Sequence, residues 1–268
     1  MTFLIASDLD QTLIYSPGAA ARGPERESRI VEILQGKTIS LLSRDTERGL
    51  LELERHAVFV PTTTRTRAQY ERIDLPTRSR FAIVASGGGI LVDGEPDLGW
   101  AASVVARLDG VSSPVAALRE VFDGYRDREW LLRLRAADDV FLVAAVDADL
   151  LHADELASVT GACDSHGWRA HHQGRKLYVL PHGLDKAAAV AHVVERLEGE
   201  TGCATSVLAA GDTLLDWSML CAAERAWMPL GSELDRLGSA APHVRTTRAA
   251  GLAAGDEIVA AWLEHATA

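Results

Sequence analysis

Two carboxylates, Asp8 and Asp10, leave the apolar run Phe3-Leu4-Ile5 in the stretch Ala6-Ser7-Asp8-Leu9-Asp10-Gln11-Thr12-Leu13. An apolar run without an alternating polar face suits a strand covered on both sides, and acids at its exit serve chemistry or a turn. Taken alone, Asp-x-Asp-x-Thr fits a hydrogen-bonded turn equally well. The pattern recurs, however, where Leu208-Ala209-Ala210 runs into Gly211-Asp212-Thr213-Leu214-Leu215-Asp216. Between the two acidic strand ends, Val60-Pro61-Thr62-Thr63-Thr64-Arg65-Thr66 ends a strand in hydroxyls and a cation, and Gly183-Leu184-Asp185-Lys186-Ala187 opens a helix with a lysine. In an open parallel sheet the carboxyl ends of strands converge on one crevice, so Asp8, Thr63, Lys186 and Asp212 can meet despite their separation. Asp8, Asp10, Asp212 and Asp216 would repel one another there unless a cation neutralised them, and oxygen-only ligands point to magnesium.

The elements that must position these groups read as α/β. Strands are expected at 57–61, 81–85, 207–210, 226–229 and 243–246, and helices at 46–56, 66–73, 184–197, 215–223 and 253–265. Ser43 and Asp45 are placed to cap the first of these helices. The runs 30–34 and 38–42, separated by Gln35-Gly36-Lys37, read as a β-hairpin near the first motif, either a flap over the site or an ordinary edge hairpin. Ser86-Gly87-Gly88-Gly89 lacks the lysine and following helix of a nucleotide-phosphate loop, so its glycines are expected to serve backbone geometry where the chain leaves the core. Residues 93–181 then read as an inserted αββαββ domain, with helix at 100–125 and 151–166 and strands at 130–135, 140–146, 168–172 and 176–180. The core is expected to comprise 1–92 and 182–268.

The order Asp-x-Asp-x-Thr, strand-Thr, Lys, Gly-Asp-x-x-x-Asp, from Phe3 to Asp216, resembles the haloacid dehalogenase superfamily of phosphohydrolases. The insert between the second and third motifs resembles the caps of its Cof-like branch, which includes sucrose-phosphate phosphatase, trehalose-phosphate phosphatase and phosphomannomutase. The resemblance implies a Rossmann-like parallel core with an inserted substrate-specificity cap. It implies that Asp8 is the nucleophile, that Asp10 protonates the leaving oxygen and then activates water, and that Thr63 and Lys186 hold the transferring phosphoryl group. Metal ligation falls to Asp8, the Asp10 backbone carbonyl and Asp212, with Asp216 supporting the metal shell or Lys186. Gln11 and Thr64 stand where many relatives have glycine, which bears on substrate identity and leaves every reacting group in place.

Substrate contacts are expected at Thr64 and Arg65, although Arg65 also fits an exposed surface arginine. Strand alternation puts Arg133 and Arg135 on one face and Leu132 and Leu134 on the other. The leucines are expected to face the cap helices, and the arginines either bind substrate or are solvated.

Composition limits the alternatives. The 268 residues are 47% hydrophobic, enough for sizeable cores, and carry 27 Lys and Arg against 38 Asp and Glu. A net charge of −11 argues against general attraction to nucleic acid or an anionic membrane. Cys163, Cys203 and Cys221 lack metal-ligand spacing and read as buried thiols of a reducing compartment. No uninterrupted apolar run approaches ~20 residues, so a soluble cytoplasmic protein is expected. The expected activity is magnesium-dependent hydrolysis of a small phosphorylated metabolite such as a sugar phosphate. A phosphomutase of the same fold and a non-catalytic ligand sensor are the competing readings.

Overall fold

The structure, a computed structural model, describes residues 2–267. The chain divides into two compact units, Met1–Asp97 with Asp185–Ala268, and Leu98–Leu184.

The first unit is built on five parallel strands in the order Val244–Thr246, Arg225–Met228, Thr205–Ala210, Thr2–Ser7, Ala57–Pro61. Leu4, Ile5 and Ala6 are fully buried, as a strand without a polar face requires. Thr2–Ser7 has the next core strand, Ala57–Pro61, on one side and Thr205–Ala210 on the other. Strand order therefore reverses about it, and the crevice beyond the carboxyl ends at such a reversal is where open α/β sheets bind ligands. Asp8, Thr63 and Asp212 follow those three strand ends.

Local chemistry fixes the neighbouring helices. Ser43 Oγ accepts from the Asp45 amide at 3.1 Å to start Arg44–Leu53, and Thr66 and Gln69 form a reciprocal capping box before Arg67–Tyr70. Asp185 Oδ1 accepts from the Ala187 amide at 2.7 Å and starts Lys186–Thr201, which ends at left-handed Gly202.

The hairpin is present as Ser28–Leu34 and Lys37–Ser43, joined by Ile14–Tyr15 into a three-stranded antiparallel sheet. Phe81–Val84 is wholly buried as expected, but it pairs with Gly89–Val92 and, through that strand, with Glu95–Pro96 in a separate antiparallel sheet. The glycine turn thus makes a hairpin, and the first unit runs on to Asp97.

The second unit carries a four-stranded antiparallel sheet in the order Trp168–Gln173, Lys176–Pro181, Phe141–Val146, Leu131–Ala137. Its opening segment is two helices, Leu98–Leu108 and Val115–Asp123, where one was expected, because the chain turns at Gly110 (φ 70°) and restarts after Pro114. The insert is therefore ααββαββ. Leu142, Ala144, Leu177 and Val179 share one fully buried face. Leu134 pairs with Ala144 on that face as expected, whereas Leu132 is 54% exposed because the register shifts between Ala145 and Val146 opposite it.

All three cysteines are free, but only Cys163 is buried; Cys203 lies in the loop after Lys186–Thr201 and Cys221 on the outer side of Trp217–Ala222. Among the described residues, no helix is long and apolar enough to cross a membrane.

Candidate active site

Three carboxylates and a lysine meet beyond the reversal point of the sheet. Oxygens of Asp8, Asp212 and Asp216 lie within 4.8 Å of one another, and all three residues are buried. Lys186, 1% exposed, donates from Nζ to Asp8 Oδ1 at 2.8 Å and to Asp216 Oδ1. Asp216 Oδ2 accepts from the Asp212 and Thr213 amides at 3.1 and 3.0 Å and from Thr213 Oγ1 at 2.9 Å. Both Asp216 oxygens are therefore taken by protein donors, whereas Asp8 Oδ2 has no hydrogen bond among the described residues. The turn is this tight because position 211 is glycine: a Cβ there would stand 2.4 Å from Asp216 Cβ.

The Thr63 side is anchored by the glycine turn. Thr63 donates its amide to the Ile83 carbonyl at 2.8 Å, and its own carbonyl accepts from the Ser86 amide at 3.0 Å. The Ala85 amide donates to the Arg65 carbonyl at 2.7 Å, and the Thr63 hydroxyl accepts from the Arg65 amide at 3.1 Å. Ala85, Ser86 and Gly87 all have positive φ, a strained run that lets the turn press on the start of the lysine helix. A Cβ on Gly87 would lie 2.5 Å from the Asp185 carbonyl oxygen.

Asp10 lies apart from the acidic trio. Its side chain is 46% exposed and takes both ends of the Arg65 fork, Nε to Oδ2 at 2.6 Å and NH2 to Oδ1 at 2.8 Å. Arg65 is not the solvated arginine that was one of its two expected readings: its side chain is 12% exposed, and NH1 donates to Glu32 Oε2 at 2.7 Å. Thr64 is half-buried and its hydroxyl makes no hydrogen bond among the described residues. Gln11 takes the left-handed conformation (φ 62°) that glycine adopts more cheaply, and its Nε2 donates to Asp212 Oδ2 at 3.4 Å. Arg133 and Arg135 belong to the second unit, where both are exposed.

Glu32 is the site-linked residue that sequence reading passed over. It stands inside the apolar run Ile30-Val31-Glu32-Ile33-Leu34, and that lone charge was the available signal.

Electrostatics in the acidic trio are unbalanced. Burial, with the charges of Asp216 and Asp10, raises Asp8 to about 7 against the opposing pull of Lys186. Burial and the Asp8 and Asp216 charges also push Asp212 well up. Burial alone would lower Lys186, but Asp216 and Asp8 outweigh it and hold the ammonium in its charged form. Three buried acids offering only oxygen donors, with one lysine among them, fit a hard divalent cation such as magnesium.

These directions fix a pH dependence for the metal-free protein. A carboxyl whose pKa is raised on folding binds more protons folded than unfolded, so stability is lost as pH rises from its unfolded value near 4 to about 7. Lys186, also raised, contributes below its unfolded value near 10 and keeps that contribution across this window. Asp8→Asn should therefore gain about 2–4 kcal/mol over wild type between pH 4 and 8 in chelator, read from paired denaturant melts. A gap independent of pH would contradict the assignment.

Neither a family model nor a curated protein sequence matches the chain. Solved structures do. Sucrose-phosphatase from Synechocystis sp. PCC6803, in complex with sucrose and phosphate, is 13% identical with a TM-score of 0.63 and 97% of both chains covered. The C-terminal domain of C. albicans trehalose-6-phosphate phosphatase is 14% identical with a TM-score of 0.65, covering 98% of this chain and 92% of that one. This is the haloacid dehalogenase fold. A phosphatase of that superfamily from Bacteroides thetaiotaomicron, 14% identical with a TM-score of 0.60, covers all of this chain and 96% of its own. The haloacid dehalogenase resemblance read from four short motifs thus holds for the fold along the whole chain.

Proposed function

We propose that this chain is a magnesium-dependent phosphatase that hydrolyses a small phosphorylated metabolite, such as a sugar phosphate, through an aspartyl-phosphate on Asp8. The observation that carries the reading is the buried meeting of Asp8, Asp212, Asp216 and Lys186 at the reversal point of the sheet. It is supported by the fold shared with sucrose- and trehalose-phosphate phosphatases.

Asp8 and Asp212 would hold the metal, with the Asp10 backbone carbonyl and with Asp216 bracing Lys186 and the Asp212 turn from behind. Magnesium bound there would neutralise charge on the phosphoryl oxygens and act on them as a Lewis acid. Asp8 Oδ2 attacks phosphorus, the bond from phosphorus to the ester oxygen breaks, and that oxygen takes the proton of the Asp10 carboxyl and leaves as the alcohol. The Asp10 carboxylate then removes a proton from water. The water oxygen bonds to phosphorus, and the Asp8–phosphorus bond breaks to return the carboxylate and inorganic phosphate. Proton transfer supplies roughly 10²–10⁴-fold, so most of the enhancement that phosphate monoesters demand falls to electrostatic stabilisation, with Lys186 and Thr63 against the phosphoryl oxygens.

A phosphate-release screen over sugar phosphates, nucleotides and phosphorylated acids tests the proposal. Turnover is expected with magnesium and is expected to vanish after exhaustive chelation. Full activity in chelator would refute the metal requirement, dependence on a bisphosphate activator would indicate a mutase, and no turnover on any ester would indicate a ligand sensor.

Substrate choice is assigned to the second unit, with Thr64 beside the core site. Two cross-strand rows, Arg133-Ala145-Lys176-Gln173 and Arg135-Val143-Tyr178-His171, share one sheet face and between them carry three cations and no acid. That composition suits hydroxyls or a second anionic group of the substrate. A charge-assisted hydrogen bond is worth about 1.5–3 kcal/mol, so Arg133→Ala or Arg135→Ala should lower kcat/KM about 10–150-fold on the preferred substrate and far less on short generic esters. Equal, small effects on both would return the arginines to solvent.

A further inference from the structure

The hairpin aims a charge inward where its sequence pattern would aim it out. In strict alternation Glu32 would share the face of Ile30, yet Ile30, Ile33 and Leu34 are 46%, 58% and 42% exposed while Glu32 is 2% exposed. Register shifts on both sides of Glu32 turn it over. Such bulges re-aim single side chains and gather beside active sites. An inward glutamate exchanged for outward isoleucines opposes the hydrophobic effect, so the local packing does not account for it.

The inward carboxylate is fully partnered. Glu32 Oε2 accepts from Arg65 NH1 at 2.7 Å and from Ser40 Oγ at 3.1 Å, and Oε1 accepts from Arg72 Nε and NH2 at 3.2 and 3.1 Å. Arg65 turns its remaining edge, Nε and NH2, to the two oxygens of Asp10. The planar guanidinium is pinned at opposite edges, so its orientation is set by Glu32 as much as by Asp10. When Asp10 turns to pass a proton it must release part of that fork. Glu32 and Ser40 then keep Arg65 in place for Asp10 to return to.

We propose that Glu32 is a positioning residue for proton transfer: through Arg65 it sets the place and plane of the Asp10 carboxylate, making the hairpin part of the acid/base machinery. The inference rests on the phosphatase reading and on the role of Asp10 within it.

A pair of leaving groups separates this role from a general structural one. p-Nitrophenolate leaves without a proton, whereas the alkoxide of p-nitrobenzyl phosphate needs one, and the two esters are close in size. In the first turnover, read by rapid quench, Glu32→Gln should slow release of p-nitrobenzyl alcohol about 10–100-fold, within the range of general acid catalysis, and the burst of p-nitrophenolate about 3-fold or less, while the later hydrolysis of the aspartyl-phosphate slows alike for both esters. Arg65→Lys, which keeps the cation but not the fork, should show the same selectivity, and the double variant should lose little more than either single one. If Glu32→Gln fails to fold, Glu32→Gln with Arg72→Met removes the second cation paired with Glu32 together with the anion and carries the same expectation. Equal slowing of the first turnover on both esters, or none on the benzyl ester, would overturn the proposal. A wild type that hydrolyses neither ester would overturn it together with the phosphatase reading.

Discussion

Asp8→Asn is expected to abolish turnover, by about 10⁴-fold or more on every phosphate ester, while leaving the fold intact. The amide is nearly isosteric, so the Lys186–Asp216 pair and the Asp212 turn keep their geometry. What is lost is the oxygen proposed to attack phosphorus. Asp8 Oδ2 receives no protein donor among the described residues, whereas both oxygens of its neighbour Asp216 are taken. Steady-state kinetics beside a thermal melt check the expectation. A folded Asp8→Asn enzyme with near wild-type kcat would remove Asp8 from the chemistry.

Asp10→Asn should cost about 10²–10⁴-fold on alkyl phosphates, because an amide neither protonates the leaving oxygen nor removes a proton from water. The loss should divide between the two steps. With p-nitrophenyl phosphate the first step proceeds without a proton, so only the second should slow, and rapid mixing should show a burst of p-nitrophenolate followed by a slow steady state. Equal impairment of burst and steady state would place Asp10 outside proton transfer. Asp10 is half-exposed, unlike Asp8, which suits a group that must reach a leaving oxygen and then water.

The core of this arrangement was legible because its signals are local. Phe3-Leu4-Ile5 and Leu208-Ala209-Ala210 announce buried strands, and acids at their exits can only gather at the carboxyl edge of a parallel sheet. The lysine helix carried its own cap in Asp185. Less legible were features that depend on register or long-range pairing. A bulge, invisible in a run of β-prone residues, turned Glu32 inward and another left Leu132 exposed. The fate of Arg65 depended on Asp10 and Glu32, distant in sequence, and no spacing rule links them. The Ser86-Gly87-Gly88-Gly89 turn announced special backbone geometry, but not that its purpose is to hold the Thr63 loop against the start of the lysine helix.

The most direct test of the account is to look for the phosphoryl group on the enzyme. Asp10→Asn, loaded with magnesium and mixed with p-nitrophenyl phosphate, would be quenched in acid within the burst and its peptides mapped by mass spectrometry. The account predicts a phosphoryl adduct on the peptide carrying Asp8, absent from the Asp8→Asn/Asp10→Asn double variant. Release of inorganic phosphate at the rate of p-nitrophenolate, with no adduct on Asp8 at any quench time, would contradict it.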